Sequence, residues 1–151
     1  MAKYERERKF LVNPESLDMM RGMAERSIEM VQGYLSRRPE STVRVRIAGD
    51  RAWLTVKGIS DGDLREEYEY QVPVADARRM LSMCEGSPVE KIRRIVPWDG
   101  LSYEVDEFGG RHAGLVVCEV ELPLDFSGEL DLPPFVGEEV TGDPRYYNSA
   151  M

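Results

Sequence analysis

The chain has 151 residues, 42% apolar and 32% charged, with 20 Lys and Arg against 28 Asp and Glu for a net charge of −8. That length favours one domain with a real core, and the acidic balance argues against general nucleic-acid binding, which depends on basic residues that neutralise phosphate. No apolar run is long enough to cross a membrane as a helix, and charge from Lys3 onward argues against a secretory signal peptide. The two cysteines, Cys84 and Cys118, lack metal-ligand spacing and sit among apolar neighbours, which predicts buried free thiols in a cytoplasmic protein. His112 is the single histidine, in a glycine-rich segment, so a histidine metal site or a Ser-His-Asp triad is not expected.

The first predicted strand is Tyr4 to Val12, stopped by Asn13-Pro14. Alternation on a strand puts Glu5, Glu7 and Lys9 on one face, and Tyr4, Arg6, Arg8 and Phe10 on the other. Two carboxylates and an ammonium in a row suit a divalent cation beside an anionic oxygen; a solvated edge strand accounts for them equally well. Asn13 as N-cap and Pro14 at the first helical position predict a helix over 14–26, with Leu17, Met20, Ala24 and Ile28 on one face. Strands are predicted over 30–36, 41–47, 52–57 and 64–72. A helix over 75–84 carries Ala77, Met80, Leu81 and Cys84 as a buried stripe. Gly86-Ser87-Pro88 breaks it before strands over 89–96, 101–108 and 115–122. Residues 123–134 read as irregular, and 145–151 as a short helix. Eight strands joined by short turns suggest a sheet that curls on itself.

Most strands have one apolar face and one face with charge spaced by two. The charged faces collect the acids Glu5, Glu7, Glu67, Glu69, Glu104, Asp106, Glu119 and Glu121, and the bases Lys9, Arg44, Arg46, Lys57, Arg65, Lys91 and Arg93. Strand period does not say which face is inside. An apolar interior gives an ordinary small-ligand barrel. A charged interior must be wet and matched by ligands, because an unpaired buried charge costs several kcal/mol. Arg and Lys suit phosphate oxygens, and an all-oxygen acidic set suits Mg²⁺ or Mn²⁺. A metal-bound polyphosphate needs both.

Glu5-x-Glu7-x-Lys9 resembles the signature of the CYTH superfamily, the triphosphate tunnel metalloenzymes. Gln32-Gly33-Tyr34-Leu35, Val43-Arg44-Val45-Arg46, Leu54-Thr55-Val56-Lys57, Glu67-Tyr68-Glu69-Tyr70, Glu90-Lys91-Ile92-Arg93, Glu104-Val105-Asp106 and Glu119-Val120-Glu121-Leu122 resemble its later blocks in order. Residues 139–148 resemble its C-terminal block. The resemblance spans essentially the whole chain and implies a single CYTH domain over 1–151. The implied fold is α+β, mainly β: an eight-stranded antiparallel closed barrel, the triphosphate tunnel, with flanking helices and its charges inside. It implies a divalent-metal-dependent triphosphatase, with inorganic tripolyphosphate as the leading substrate beside ATP and thiamine triphosphate. A class IV adenylate cyclase and a non-catalytic polyphosphate- or nucleotide-binding module are the alternatives.

By that resemblance, Glu5, Glu7, Asp106, Glu119 and Glu121 hold Mg²⁺ or Mn²⁺, with Glu67, Glu69 and Glu104 as further acids. Lys9, Arg44, Arg46, Lys57, Lys91 and Arg93 grip the phosphates, and Arg145 reaches in from the C-terminal segment. Lys9 with Tyr34 resembles a general-base pair, although Tyr34 reads equally as a packing residue. Arg65 reads as an ion-pair partner of Glu67 or Glu69. Neither nucleic acid nor membrane is an expected partner. A homodimer is expected where the outer wall lacks helix cover.

Overall fold

The computed structural model describes residues 3–151. Among these the chain forms β1 (Tyr4–Val12), α1 (Leu17–Met23), β2 (Arg26–Ser36), β3 (Thr42–Ala48), β4 (Arg51–Asp61) and β5 (Leu64–Val72). It continues with α2 (Val74–Leu81), β6 (Glu85–Trp98), β7 (Leu101–Phe108), β8 (Val116–Glu121) and β9 (Val136–Glu139). The sheet order is β5-β4-β3-β2-β6-β7-β8-β1-β9, and a further β1–β5 pairing closes eight strands into an antiparallel barrel.

The closing seam is short. Tyr4, Glu5 and Arg6 lie opposite Glu66, Arg65 and Leu64. Farther along, β9 takes over, opposite Phe10 and Val12. Between the two, Lys9 N–H donates to Thr141 Oγ1 at 2.9 Å and Val140 N–H donates to Lys9 O at 2.8 Å. Backbone groups that would be orphaned on this edge are thereby paired. The other side of β1 pairs with β8 from Glu7 to Leu11.

The apolar faces of the strands point outward and are covered there. Phe10, Met20, Val96, Tyr103, Val105, Cys118, Val120 and Phe135 form the largest cluster, with Leu17, Phe126, Leu130 and Leu132 packed on it. So α1 and the irregular segment after β8 roof this side of the barrel. The second helix, α2, roofs another, burying Ala77 against Val45 and Ala52. Its C-terminal end comes so close to β2 that a Cβ at residue 33 would lie 2.6 Å from Cys84 Sγ, so only glycine fits at Gly33. A third cluster joins Val89, Phe108 and Val117 with Leu11, Leu115 and Met151. Leu11, Val89, Phe108 and Val117 fall in strand phase with Lys9, Lys91, Asp106 and Glu119, so apolar side chains fill part of the same inner wall.

Several predicted boundaries shift. The helix expected over 14–26 is a 3-10 turn over Pro14–Ser16 followed by α1, which ends at Met23. Arg26 to Gln32 instead pair residue for residue with Ile95 to Val89 of β6, so Ile28 is a strand residue and not part of a helical stripe. A continuous ladder of backbone hydrogen bonds outweighs a helix end containing Gly22. β6 likewise runs through Gly86-Ser87-Pro88, with Gly86 at φ 70° and a register shift between Gln32 and Tyr34. β4 extends to Asp61 with a register shift between Lys57 and Ser60. The strand β9 was not anticipated, and the helix expected over 145–151 is two 3-10 turns. Cys118 is buried as expected, whereas Cys84 is only half-buried; both thiols are free.

Candidate active site

The charged faces point into the barrel. A cavity inside it is lined by Glu5, Glu7, Lys9, Tyr34, Arg44, Lys57, Arg65 and Glu119, with Thr42, Thr55 and the β4–β5 turn. Residues 141–149 close one side: Thr141, Gly142, Tyr147, Asn148 and Ser149 all face it. Sequence reasoning missed Thr42, Thr55, Asn148 and Ser149, because an uncharged hydroxyl or amide carries no pattern of its own. The phase of Thr42 and Thr55 with Arg44 and Lys57 was the available signal.

Deeper in the barrel, one group of charges is fully matched. Asp106 accepts from Arg93 Nε at 2.8 Å through one oxygen, and from Arg93 at 2.9 Å and Lys91 Nζ at 2.7 Å through the other. Arg93 also donates to Glu104 at 2.7 Å. Burial raises the Asp106 pKa, but Lys91 and Arg93 outweigh it and hold the carboxyl down at about 2. Burial pushes Lys91 down to about 7 despite Asp106, with Arg93 and Arg46 adding to the fall. Both oxygens of Asp106 therefore accept from cations.

Around the cavity the matching is incomplete. Lys57 donates to Glu5 at 2.5 Å and lies 3.3 Å from Glu67. Lys9 lies 3.3 Å from Glu119 and donates to the Tyr146 carbonyl at 3.0 Å. Burial lowers the Lys9 pKa, but Glu119 and Glu7 hold it above the usual value. Tyr34 lines the same cavity, yet no hydrogen bond joins it to Lys9 among the described residues. Thr55 donates to Glu69 at 2.9 Å and accepts from Arg44, which lies 3.6 Å from Glu69. Among the described residues Arg65 makes no bridge to Glu67 or Glu69. The β4 register shift presents the Gly58 carbonyl instead, which accepts from Arg65 at 2.7 Å, and Thr42 accepts at 3.2 Å.

Glu7 and Glu121 stand directly opposite each other on β1 and β8. Among the described residues neither has an ion-pair partner. Burial, Glu119 and Glu5 push the Glu7 pKa well above the usual carboxylate value, despite Lys57. Burial, Glu5 and Glu104 raise Glu121 as well. Facing carboxylates destabilise a sheet, a strain that a bound cation or a proton on Glu7 would relieve; Glu121 is exposed to water, so the strain falls mainly on Glu7. The available donors are all oxygen, which fits a hard divalent ion. No group of three Asp, Glu, His or Cys among the described residues is already gathered closely enough to hold one, so the fit lies in donor chemistry and unmatched charge.

Arg145 lies outside this assembly. Its guanidinium is 77% exposed and forks onto Asp143 at 2.7 and 3.2 Å, so it does not reach the tunnel as expected. The nearer Asp143 carboxylate captures it.

The sequence model of the CYTH domain matches residues 3–147. An inorganic triphosphatase from Acetivibrio thermocellus is 43% identical over 147 residues, covering 96% of this chain and 90% of that protein. An inorganic triphosphatase from Nitrosomonas europaea is 38% identical over 130 residues, covering 83% of this chain and 84% of that protein. A crystal structure of an inorganic triphosphatase aligns with a TM-score of 0.63 at 34% identity, over 97% of this chain and 92% of that one.

Proposed function

This chain belongs to the CYTH domain family, and from that premise we propose that it hydrolyses inorganic tripolyphosphate inside the barrel in a divalent-metal-dependent reaction, working as one domain. The observation that carries the reading is the presence of unmatched acids at Glu7 and Glu121 together with the cations Lys9, Arg44 and Lys57 that line the cavity, and with Arg46 buried on the same strand as Arg44. The curated relatives named inorganic triphosphatase support the choice of substrate.

Arg44 and Arg46 offer forked donors to phosphate oxygens, and Lys9 and Lys57 add point charges. Together they orient the chain of phosphates and neutralise the oxygens of the terminal phosphoryl group as it leaves. Glu5, Glu7, Glu119 and Glu121 would hold Mg²⁺ or Mn²⁺, which when bound supplies positive charge and makes water more acidic. Lys91 and Arg93 act from behind, fixing Asp106 and Glu104 and adding positive potential. Lys9 and Tyr34 are the groups placed to take the proton of the attacking water; Lys9 must first be neutral, which Glu119 and Glu7 oppose. Residues 141–149 exclude bulk water from one side.

No helix among the described residues is long and apolar enough to cross a membrane, and the two free thiols fit a cytoplasmic setting. A second copy of the chain would cover Val31, Ile47 and Ile92 on the outer wall. Phosphate release from tripolyphosphate, with Mg²⁺, Mn²⁺ or EDTA and beside ATP, tests the function. Fast release with either metal, none with EDTA and little from ATP is expected. No release would overturn the reading, and cyclic AMP formed from ATP would replace it with a cyclase.

A further inference from the structure

Gln32 carries no charge and is marked in the sequence only as part of the block Gln32-Gly33-Tyr34-Leu35, yet it sits wholly inside the barrel, with 0% of its surface exposed. It lies opposite Arg46 on β3. Its Oε1 accepts from Arg46 Nε at 2.9 Å. Because Arg46 Nε–H is a donor, the carboxamide must turn its oxygen toward it, which fixes Nε2 on the other side. That Nε2 is buried and has no partner; neither has the Nε of the neighbouring Arg44. Buried donors in native proteins are nearly always paired, and for these two donors on adjacent strands the described residues supply no acceptor.

The charge around Arg46 points to the same acceptor. Arg44 has Glu69 within 3.6 Å, and Lys91 and Arg93 share Asp106. Among the described residues Arg46 is the buried cation without a carboxylate in ion-pair range. Burial and the neighbouring Arg44 and Arg93 pull its pKa down to about 9. An acceptor that were itself a carboxylate would relieve that strain and cancel the charge. Gln32 supplies the acceptor and leaves the charge uncancelled.

We propose that Gln32 is a substrate-positioning residue: its Oε1 holds the Arg46 guanidinium in place without neutralising it, and its Nε2–H₂ donates to the same phosphate oxygen that accepts from Arg46. This rests on the tripolyphosphate reading above and names the neutral residue that keeps the phosphate site open.

The test compares Gln32→Glu and Gln32→Met with the parent protein. Tripolyphosphate binding is measured by calorimetry in EDTA, kcat and KM with Mg²⁺, and melting temperature without ligand. Gln32→Glu keeps size and acceptor but neutralises Arg46. Gln32→Met keeps size and loses both hydrogen bonds. A Gln32 that serves the fold alone would leave folded Gln32→Met binding tripolyphosphate within threefold of the parent; a carboxylate at this place repels phosphate in either case and reports the charge of the site. The expected order is that Gln32→Met, which adds no charge, binds at least tenfold more weakly than the parent, and Gln32→Glu more weakly still although it melts higher than Gln32→Met. KM should rise in step for both, with kcat changed less than threefold. Binding by Gln32→Met within threefold of the parent overturns the role. A parent protein that neither binds nor hydrolyses tripolyphosphate overturns the functional reading itself.

Discussion

Two pairs of cross-strand neighbours on the inner wall have opposite fates. Asp106 on β7 faces Arg93 on β6 and is clamped by Arg93 and Lys91. Glu7 on β1 faces Glu121 on β8, and neither meets a cation within ion-pair range among the described residues. Both arrangements come from the same strand alternation. The first is electrostatically complete. The second leaves two carboxylates facing each other with their charge unmatched, and under the proposed function it is the place where a divalent ion would bind.

The largest effect should come from breaking the complete group. Asp106→Asn leaves Arg93 with only Glu104 and strips Lys91 of its counter-charge. Removing one member of a buried pair costs about 3–5 kcal/mol, which for this chain length lowers the melting temperature by roughly 10 °C. Thermal unfolding followed by circular dichroism checks this, and an unchanged midpoint would break the contrast drawn here. Glu7→Gln should do the opposite. Its pKa is raised in the folded state, so the folded protein holds the proton more tightly than the unfolded chain. Stability therefore falls as pH rises from the ordinary value of 4.5 through the raised one. Gln cannot ionise, so at pH 8 in EDTA the variant should melt about 2–4 °C higher than the parent, with no difference below pH 4.5. Its metal-dependent phosphate release should drop on the order of 100-fold. A variant that is less stable at pH 8, or fully active, would remove Glu7 from the site.

The fold was largely legible because its signals are local. Period-two alternation and turn residues located eight strands, and the resemblance of the ordered blocks to the CYTH superfamily implied which face turns inward. What alternation leaves out is pairing. The helix over 14–26 was over-extended because the ladder from Arg26 to β6 joins residues about seventy positions apart. The strand β9 was missed because four residues with two adjacent glutamates show no alternation, and its stability comes from the free edge of β1. The site was legible as a set of residue types but not as a set of partners. Asp106 and Glu121 look alike in sequence and differ in what the neighbouring strand sets opposite them, Arg93 for one and Glu7 for the other, and in burial. Arg145 follows the same rule, being taken by Asp143 two residues away. Gln32 stood out only as part of the block Gln32-Gly33-Tyr34-Leu35, since the role proposed for it lies in the charge it lacks.

The outer face of β1 supplies a third case that sharpens the contrast. Arg8 alternates with Glu7 and Lys9 and so points outward, where it forks onto Glu139 of β9 at 2.8 and 2.6 Å. Its guanidinium also lies 5.4 Å from the centre of the Phe10 ring. The pair is as complete as the Asp106 group and spans the edge where β9 joins the barrel, but about a quarter of Arg8 and more than a third of Glu139 remain in contact with water. Water and salt screen it, so the pair should contribute only about 0.2–1 kcal/mol. Arg8→Ala is expected to lower the melting temperature by no more than a few degrees, with the deficit shrinking as salt is raised from 50 mM to 0.5 M (both on the order of ordinary screening conditions). Phosphate release should be unchanged, because the side chain is on the wrong face of the strand to meet substrate. A large loss of stability from Arg8→Ala, comparable with that from Asp106→Asn, would mean that completeness of pairing and not burial sets the cost, and burial would then have to be dropped as the feature that separates the two walls.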